Sequence, residues 1–564
     1  MGKLYRNGVL FQFFHWYLYK DDLRCGGKSL WKFLSDEASH LKDIGVSAVW
    51  IPPVSKSSGG TNDNGYSVFD RFDLGEFNQT WEGDSGSPDA TVRTKYGTKS
   101  ELLDAIHSLH NQPAPIQVYA DVVINHQTGG SEDGYWQSIR VEEDNRNKER
   151  WGNGYEEGEI EVKGYTKFTY PVRNGKYSQF KWYARHFNGI DTPISIQQNG
   201  NTFNDPGNKY IYRYLYNENN YNPSVKMWDR FVSEEKGNYD YEMGCDLDFD
   251  RYDVREEIKY WGTWLTQQLD LDGVRIDTIK HVNANYIREW LGHIRYFANK
   301  PENFAIGEYY TEDRWISDEL KQLINRVNNI GEFPQKLSFF DFQLRNKFRD
   351  ASYNKGYYNL AEFNRNTLQS QYPMHAVTFV ENHDQQYGRN PDSHVKEWIK
   401  PLAYAYILLR ENGYPCVFFA DYYGSEKNGY HIGQPEGRYY IDLLLKLRKD
   451  YALGDERYHE TWDGQNVTAA GWVRMGFVDG AKGAMAVVIN TSNTVKPVRM
   501  NTGRFNRKFY HYATIKYVDP DNSFLIVKGA YLQYGDKCID IWTDSNGYAD
   551  FLADGETVAI WLEA

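Results

Sequence analysis

The sequence predicts an α/β protein built on a closed (β/α)₈ barrel. A β domain is inserted after the third strand, and an antiparallel β-sandwich follows the barrel. Three observations lead there. Eight short β-branched or aromatic runs recur along the chain, many joined by amphipathic stretches. Four of these runs carry polar groups at their C-terminal ends. No GxGxxG follows the first run, which weighs against the alternative of an open doubly wound sheet.

The runs begin at Val9 (VLFQFFHW), Ala48 (AVWIPP), Gln117 (QVYADVVINH), Asp272 (DGVRIDTIKH), Phe304 (FAIGEYY), Leu337 (LSFFDF), Ala376 (AVTFVENHD) and Cys416 (CVFFADYYG). Helical patterns such as SLWKFLSDEASHLKDIG and REEIKYWGTWLTQQL lie between them. The alternation breaks after the third run. Residues 127–246 are rich in Tyr, Asn, Gly and charge, with little helical period. That is too long for a plain loop and reads as an inserted, irregular β domain. The barrel therefore occupies 1–126 and 247–454. Past Asp455 short alternating strands such as GAMAVVIN and ETVAIWLE assign 455–564 to the sandwich.

Composition bounds the function. Of the 564 residues, 40% are apolar and 25% charged, which describes an ordinary water-soluble protein. Aromatic residues reach 16%, with 46 Tyr and 17 Trp; they suit either a large core or the apolar faces of sugars. A net charge of −13 disfavours nucleic acid. No apolar run is long enough for a membrane span. The N-terminus shows no signal-peptide pattern, so the reading is cytoplasmic if Met1 is native and secreted if a leader was trimmed. A monomer is expected. Cys25, Cys245, Cys416 and Cys538 form no CxxC pair, which excludes zinc sites of the usual spacing.

At the mouth of such a barrel the strand ends meet. Asp121, Asn125 and His126 end the third strand, and Arg275, Asp277, Lys280 and His281 the fourth. Glu308 ends the fifth, and Asn382, His383 and Asp384 the seventh. Asp277, Glu308 and Asp384 thus converge. Glycosidic cleavage needs two carboxyls in different protonation states, and a third nearby helps keep one protonated. Arg275 shares a strand face with Asp277 and is expected to hold it ionised. A lone acid at a strand end is more often a cap or half of a salt bridge. Four polar ends in barrel order weaken that alternative.

DVVINH, GVRIDTIKH, AIGEYY and FVENHD resemble, in order, the four short conserved regions of the α-amylase family of glycoside hydrolases. FQFFHWYL, NGYSVFDRFDLGEF, RTKYGTKSEL, FKWYARHFNGID and GNYDYEMGCDLDFD resemble its bacterial liquefying members. The resemblance covers most of residues 8–450. It implies Asp277 as nucleophile, Glu308 as general acid and base, and Asp384 as stabiliser of the distorted sugar. It places Arg275, His126 and His383 at the cleavage subsite and Tyr66 as its stacking platform. Lys280 and His281 fall near the leaving group. The implied reaction is retaining endo-hydrolysis of α-1,4 bonds in starch, glycogen or maltooligosaccharides. An oligosaccharide-specific or maltogenic member is the alternative. A non-catalytic glucan-binding relative would usually lack one of the acids, and all three are present here.

Asp240, Asp246, Asp248 and Asp250 fall within eleven residues. Either they form a solvated acidic turn or a hard dication such as calcium relieves their repulsion. The resemblance implies a structural calcium held by Asn125, Asp240, Asp246 and the His281 backbone carbonyl. It implies a sodium or second calcium near Asp191, Asp229, Asp248 and Asp250. Two segments depart from the family pattern: the insert NQTWEGDSGSPDA after Phe77 and the stretch EGEIEVKGYTKFTYPVRNGKYSQF.

Overall fold

The computed structural model describes residues 7–80, 91–151, 157–205, 207, 209–216, 226–328, 336–389, 393–427, 430–432, 437–476, 483–518, 523–528 and 540–564. Cys538 and positions 81–90 of the Phe77 insert lie outside them.

All eight expected runs form barrel strands: β1 (Leu10–Gln12), β2 (Ala48–Ile51), β3 (Gln117–Val122), β4 (Gly273–Ile276), β5 (Phe304–Gly307), β6 (Leu337–Phe340), β7 (Ala376–Phe379) and β8 (Tyr414–Phe418). They pair in parallel and in chain order, and β1 closes the ring against β8 with Leu10 opposite Cys416. Both faces of these strands are covered, which is why the runs read as continuously apolar rather than alternating. Register then fixes the interior. Arg275 of β4 stands opposite Asp121 of β3 on one side and Ile306 of β5 on the other.

The outer helices are α1 (Leu30–Asp43), α2 (Lys99–His110), α3 (Tyr252–Leu269), α4 (Ala284–Phe297), α5 (Asp318–Asn328), α6 (Phe342–Tyr353), α7 (Lys400–Leu409) and α8 (Gly437–Asp450). Local chemistry sets their starts. Ser29 caps α1, Asn283 caps α4, Asp341 caps α6, and Thr98 and Glu101 close a capping box on α2. Every residue of α7 is buried. The helix lies between barrel and C-terminal sheet, so it lacks the polar stripe of its neighbours.

Inside the insertion the chain is more regular than its composition predicts. Tyr135–Glu142 pairs antiparallel with Ile160–Lys163, Tyr210–Tyr214 and Asn145–Glu149, within a nine-stranded sheet among the described residues. Burial alternates along Ile160–Lys163, a strand pattern hidden by the surrounding Tyr and Gly. The insertion closes on itself. His126 and Gln127 at its entry pair with Asp246 and Cys245 at its exit.

The Phe77 insert is also tied at its base. The buried Lys56 ammonium donates to the carbonyls of Phe77, Thr91 and Val92 and sits 3.6 Å from Asp73.

At the C-terminus, among the described residues, a seven-stranded antiparallel sheet faces the pair Lys496–Asn501 and Tyr548–Ala553. Val498, Met500 and Phe551 of the pair share one core with Val488 and Trp561 of the sheet. Trp472 anchors this domain to the barrel. It is fully buried, donates from Nε1 to the Leu409 carbonyl at 3.1 Å and meets Tyr406 edge-on. Replacing Trp472 by Ala opens a cavity at that junction and is expected to cost about 3–5 kcal/mol. Scanning calorimetry should show a clearly lowered melting temperature; an unchanged one contradicts the anchoring role.

Candidate active site

Arg275 is fully buried and organises the barrel mouth. Its Nη1 donates to Asp121 at 2.8 Å and to Asp277 at 2.6 Å, and its Nη2 lies 2.6 Å from Glu308. Trp50 lies beneath the guanidinium, 5.2 Å away, and donates its indole N–H to Asp121. One positive charge thus faces three buried carboxylates. Burial pushes Asp277 well above the usual carboxylate range, and neighbouring Glu242, Glu308 and Asp121 add to what Arg275 offsets. Burial likewise raises Glu308, with Asp384 adding to the effect. Arg275 acts against that rise at Asp277, in the direction expected from sequence. Its single charge is shared three ways, among Asp121, Asp277 and Glu308.

Local backbone brings the acids together. Thr278, just after Asp277, adopts a left-handed conformation with φ 45°, uncommon for a β-branched residue. The turn aims its backbone N–H at Glu308 Oε2, 3.4 Å away. Gly307 precedes Glu308, and a Cβ there would lie 2.6 Å from Ile279 Cδ1. Its lack of a side chain lets β5 approach the segment that follows Asp277.

Tyr66 and His383 complete the wall. Their rings stack 5.4 Å apart at 2°, and the Tyr66 hydroxyl donates to Asp121 at 2.9 Å and lies 2.8 Å from His383 Nε2. Gln12 on β1 approaches the other nitrogen of His383 at 3.0 Å. Asp384 is the most open of the three acids, with 29% of its side chain exposed. Burial acts to raise it, but His383 at 3.0 Å and Arg389 at 3.2 Å outweigh that and hold it below the usual range. Asp277, Glu308, Asp384, Arg275, Tyr66 and His383 therefore share one site.

His126 borders the site through Tyr66, whose carbonyl lies 3.0 Å from its Nε2. Its Nδ1 faces Glu242 at 3.3 Å. Lys280 is paired with Glu235 at 2.7 Å, and its ammonium lies 5.2 Å from the Tyr309 ring centre. His281 packs on Tyr239 and contacts the Tyr239 carbonyl at 2.6 Å. Three contributors escaped the sequence reading: Glu242, Arg389 and Trp16. Their only signals were an extra acid in DYEMGCD and an aromatic and an arginine in loops, none of them periodic.

The acidic segment divides. Asn125 donates to Asp246 at 3.3 Å, and Asp240 accepts from Asn188 and from the Asp229 backbone. Both oxygens of Asp229 and Oδ2 of Asp246 are buried without a hydrogen-bond partner. Burial raises all three acids, Asp240 to about 7. Among the described residues no three His, Cys, Asp or Glu side chains stand in finished coordination geometry. The orphaned oxygens and the Asn125 amide oxygen are hard donors, the kind calcium takes. Of the second expected set, Asp248 pairs with buried Lys226 at 2.7 Å, Asp191 accepts from Thr192, and Asp250 is exposed.

Comparison with known proteins agrees with this geometry. The "Alpha amylase, catalytic domain" family matches residues 30–475. An alpha-amylase of Bacillus licheniformis is 36% identical over 99% of this chain and 94% of its own. The cytoplasmic alpha-amylase of Escherichia coli (strain K12) is 34% identical over 99% of both chains. A crystal structure of alpha-amylase from Geobacillus thermoleovorans, complexed with acarbose, superposes over 99% of both chains with a TM-score of 0.58 at 14% identity, which supports the fold. The chain belongs to the alpha-amylase catalytic-domain family of glycoside hydrolases.

Proposed function

We propose that this enzyme is an endo-acting α-amylase that cleaves internal α-1,4-glucosidic bonds with retention of configuration. The carrying observation is the Arg275 guanidinium bridging Asp277 and Glu308. A pair so closely bridged suits the separation of about 5–5.5 Å that direct attack requires, which leaves no room for a water between. Asp277 attacks the anomeric carbon and forms the glycosyl-enzyme. Glu308, whose carboxyl burial and Asp384 push upward, protonates the departing oxygen and then deprotonates the attacking water. Asp384, held ionised by His383 and Arg389, accepts hydroxyls of the distorted sugar. Tyr66 supplies the flat face on which that sugar rests.

Asn125, Asp229, Asp240 and Asp246 would hold a structural calcium, with the His281 carbonyl completing the set. The ion's positive charge would relieve the repulsion among these buried acids. In the second set, Lys226 already neutralises Asp248, so the proposal is confined to one ion. The name of the Escherichia coli relative supports a cytoplasmic address.

Four outcomes follow. Glu308→Gln should lower starch hydrolysis by at least roughly 10²–10⁴-fold while sparing maltooligosaccharide binding; retained turnover contradicts the assigned role. In wild type, viscosity of an amylose solution should fall before much reducing sugar appears, whereas a maltogenic enzyme releases short products from the start. Glu242→Gln removes a negative charge that raises Asp277. Asp277 then ionises at lower pH, so the acid limb of the kcat/KM profile should move towards acid; a shift the other way contradicts the electrostatic reading. A calcium chelator should lower the melting temperature, and added calcium should restore it.

A further inference from the structure

Arg389 stands at the edge of the site and, beyond its ion pair with Asp384, takes no part in the proposed chemistry. Its guanidinium carbon lies 3.5 Å from the centre of the Trp16 indole, and its Nη2 donates to Asp384 Oδ1 at 3.2 Å. About a third of the side chain remains exposed. The loop that carries it is fixed to the segment after β1. Gln386 accepts the Trp16 backbone N–H at 3.0 Å, the Tyr17 hydroxyl donates to the Gly388 carbonyl at 2.5 Å, and Arg389 N–H returns to the Gln386 carbonyl at 3.2 Å. Trp16 in turn lies nearly parallel to Tyr66 and to His383, 6.0 and 6.2 Å away.

A glucose unit needs two things from such a wall: a flat aromatic face and an acceptor for its hydroxyls. Trp16 offers the first and Asp384 the second, and a single guanidinium occupies both. Planar, weakly hydrated and always charged, arginine is well suited to do so, and lysine could not lie flat on the indole in the same way.

We propose that Arg389 is a specificity-determining residue: it occupies one sugar position at the Trp16 end of the cleft and must swing off the indole and Asp384 before a glucose unit can settle there. This rests on the α-glucan reading above. The competition discounts binding at that position, so the enzyme favours placements of the chain that leave it empty. Both contacts are partly exposed and individually modest, which makes the displacement affordable for a long substrate.

The test uses Glu308→Gln as the inactive background and maltoheptaose as the probe, with affinity measured by titration calorimetry. Adding Arg389→Ala should tighten binding by about three- to tenfold, the range expected for removing one cation–π contact and one part-exposed ion pair. Arg389→Lys, which retains the charge and loses the flat stack, should fall between. In the active enzyme, Arg389→Ala should shift the bond-cleavage frequencies of end-labelled maltoheptaose, a pattern that mere loss of stability leaves alone. Unchanged or weaker binding in Arg389→Ala, with wild-type cleavage frequencies, overturns this inference and leaves the α-glucan reading intact. No maltoheptaose binding to the Glu308→Gln protein overturns both.

Discussion

A buried guanidinium held among three carboxylates is the constraint from which the rest of the site follows. Arg275 sits at 0% exposure, where an unpaired charge is prohibitively costly. Its partners must therefore come from neighbouring strands at fixed register. Asp121 arrives from β3, Asp277 from two residues further along β4, and Glu308 from the end of β5. The barrel thus does more than display these acids: slipping one strand by a residue would turn its acid away from the guanidinium. The imbalance of one cation against three anions makes ionising all three acids costly.

The same logic governs the inserted sheet. Its first and last strands pair with each other, so Asn125 and Asp246 meet although 121 positions separate them. Asp240 and Asp229 join them through backbone and amide contacts. Glu242 lies between Asp240 and Asp246 in the chain and faces His126 at the cleft. Whatever sets the spacing of those acids also sets the position of a carboxylate that acts on Asp277.

Much of this was legible in the sequence for identifiable reasons. Parallel strands buried on both faces give continuous apolar runs, so all eight barrel strands were visible, and the polar residues ending them had to face one mouth. The inserted sheet was harder. Its alternation is short and its exposed positions carry Tyr and Asn, which mimic loop composition. Lys226 could not be foreseen as the partner of Asp248, because a lone lysine has no periodic signature. Glu242 and Arg389 escaped for the same reason: their meaning comes only from what folding sets beside them.

The lysine tether beneath the Phe77 insert has a consequence for how this family can diverge. Because Lys56 gathers the carbonyls of Phe77, Thr91 and Val92 onto one ammonium, the two ends of that bight are held together. Lengthening such a bight is cheap, about 0.6 kcal/mol for each doubling. Residues can be gained, lost or exchanged between those ends while the Lys56 stem stays put.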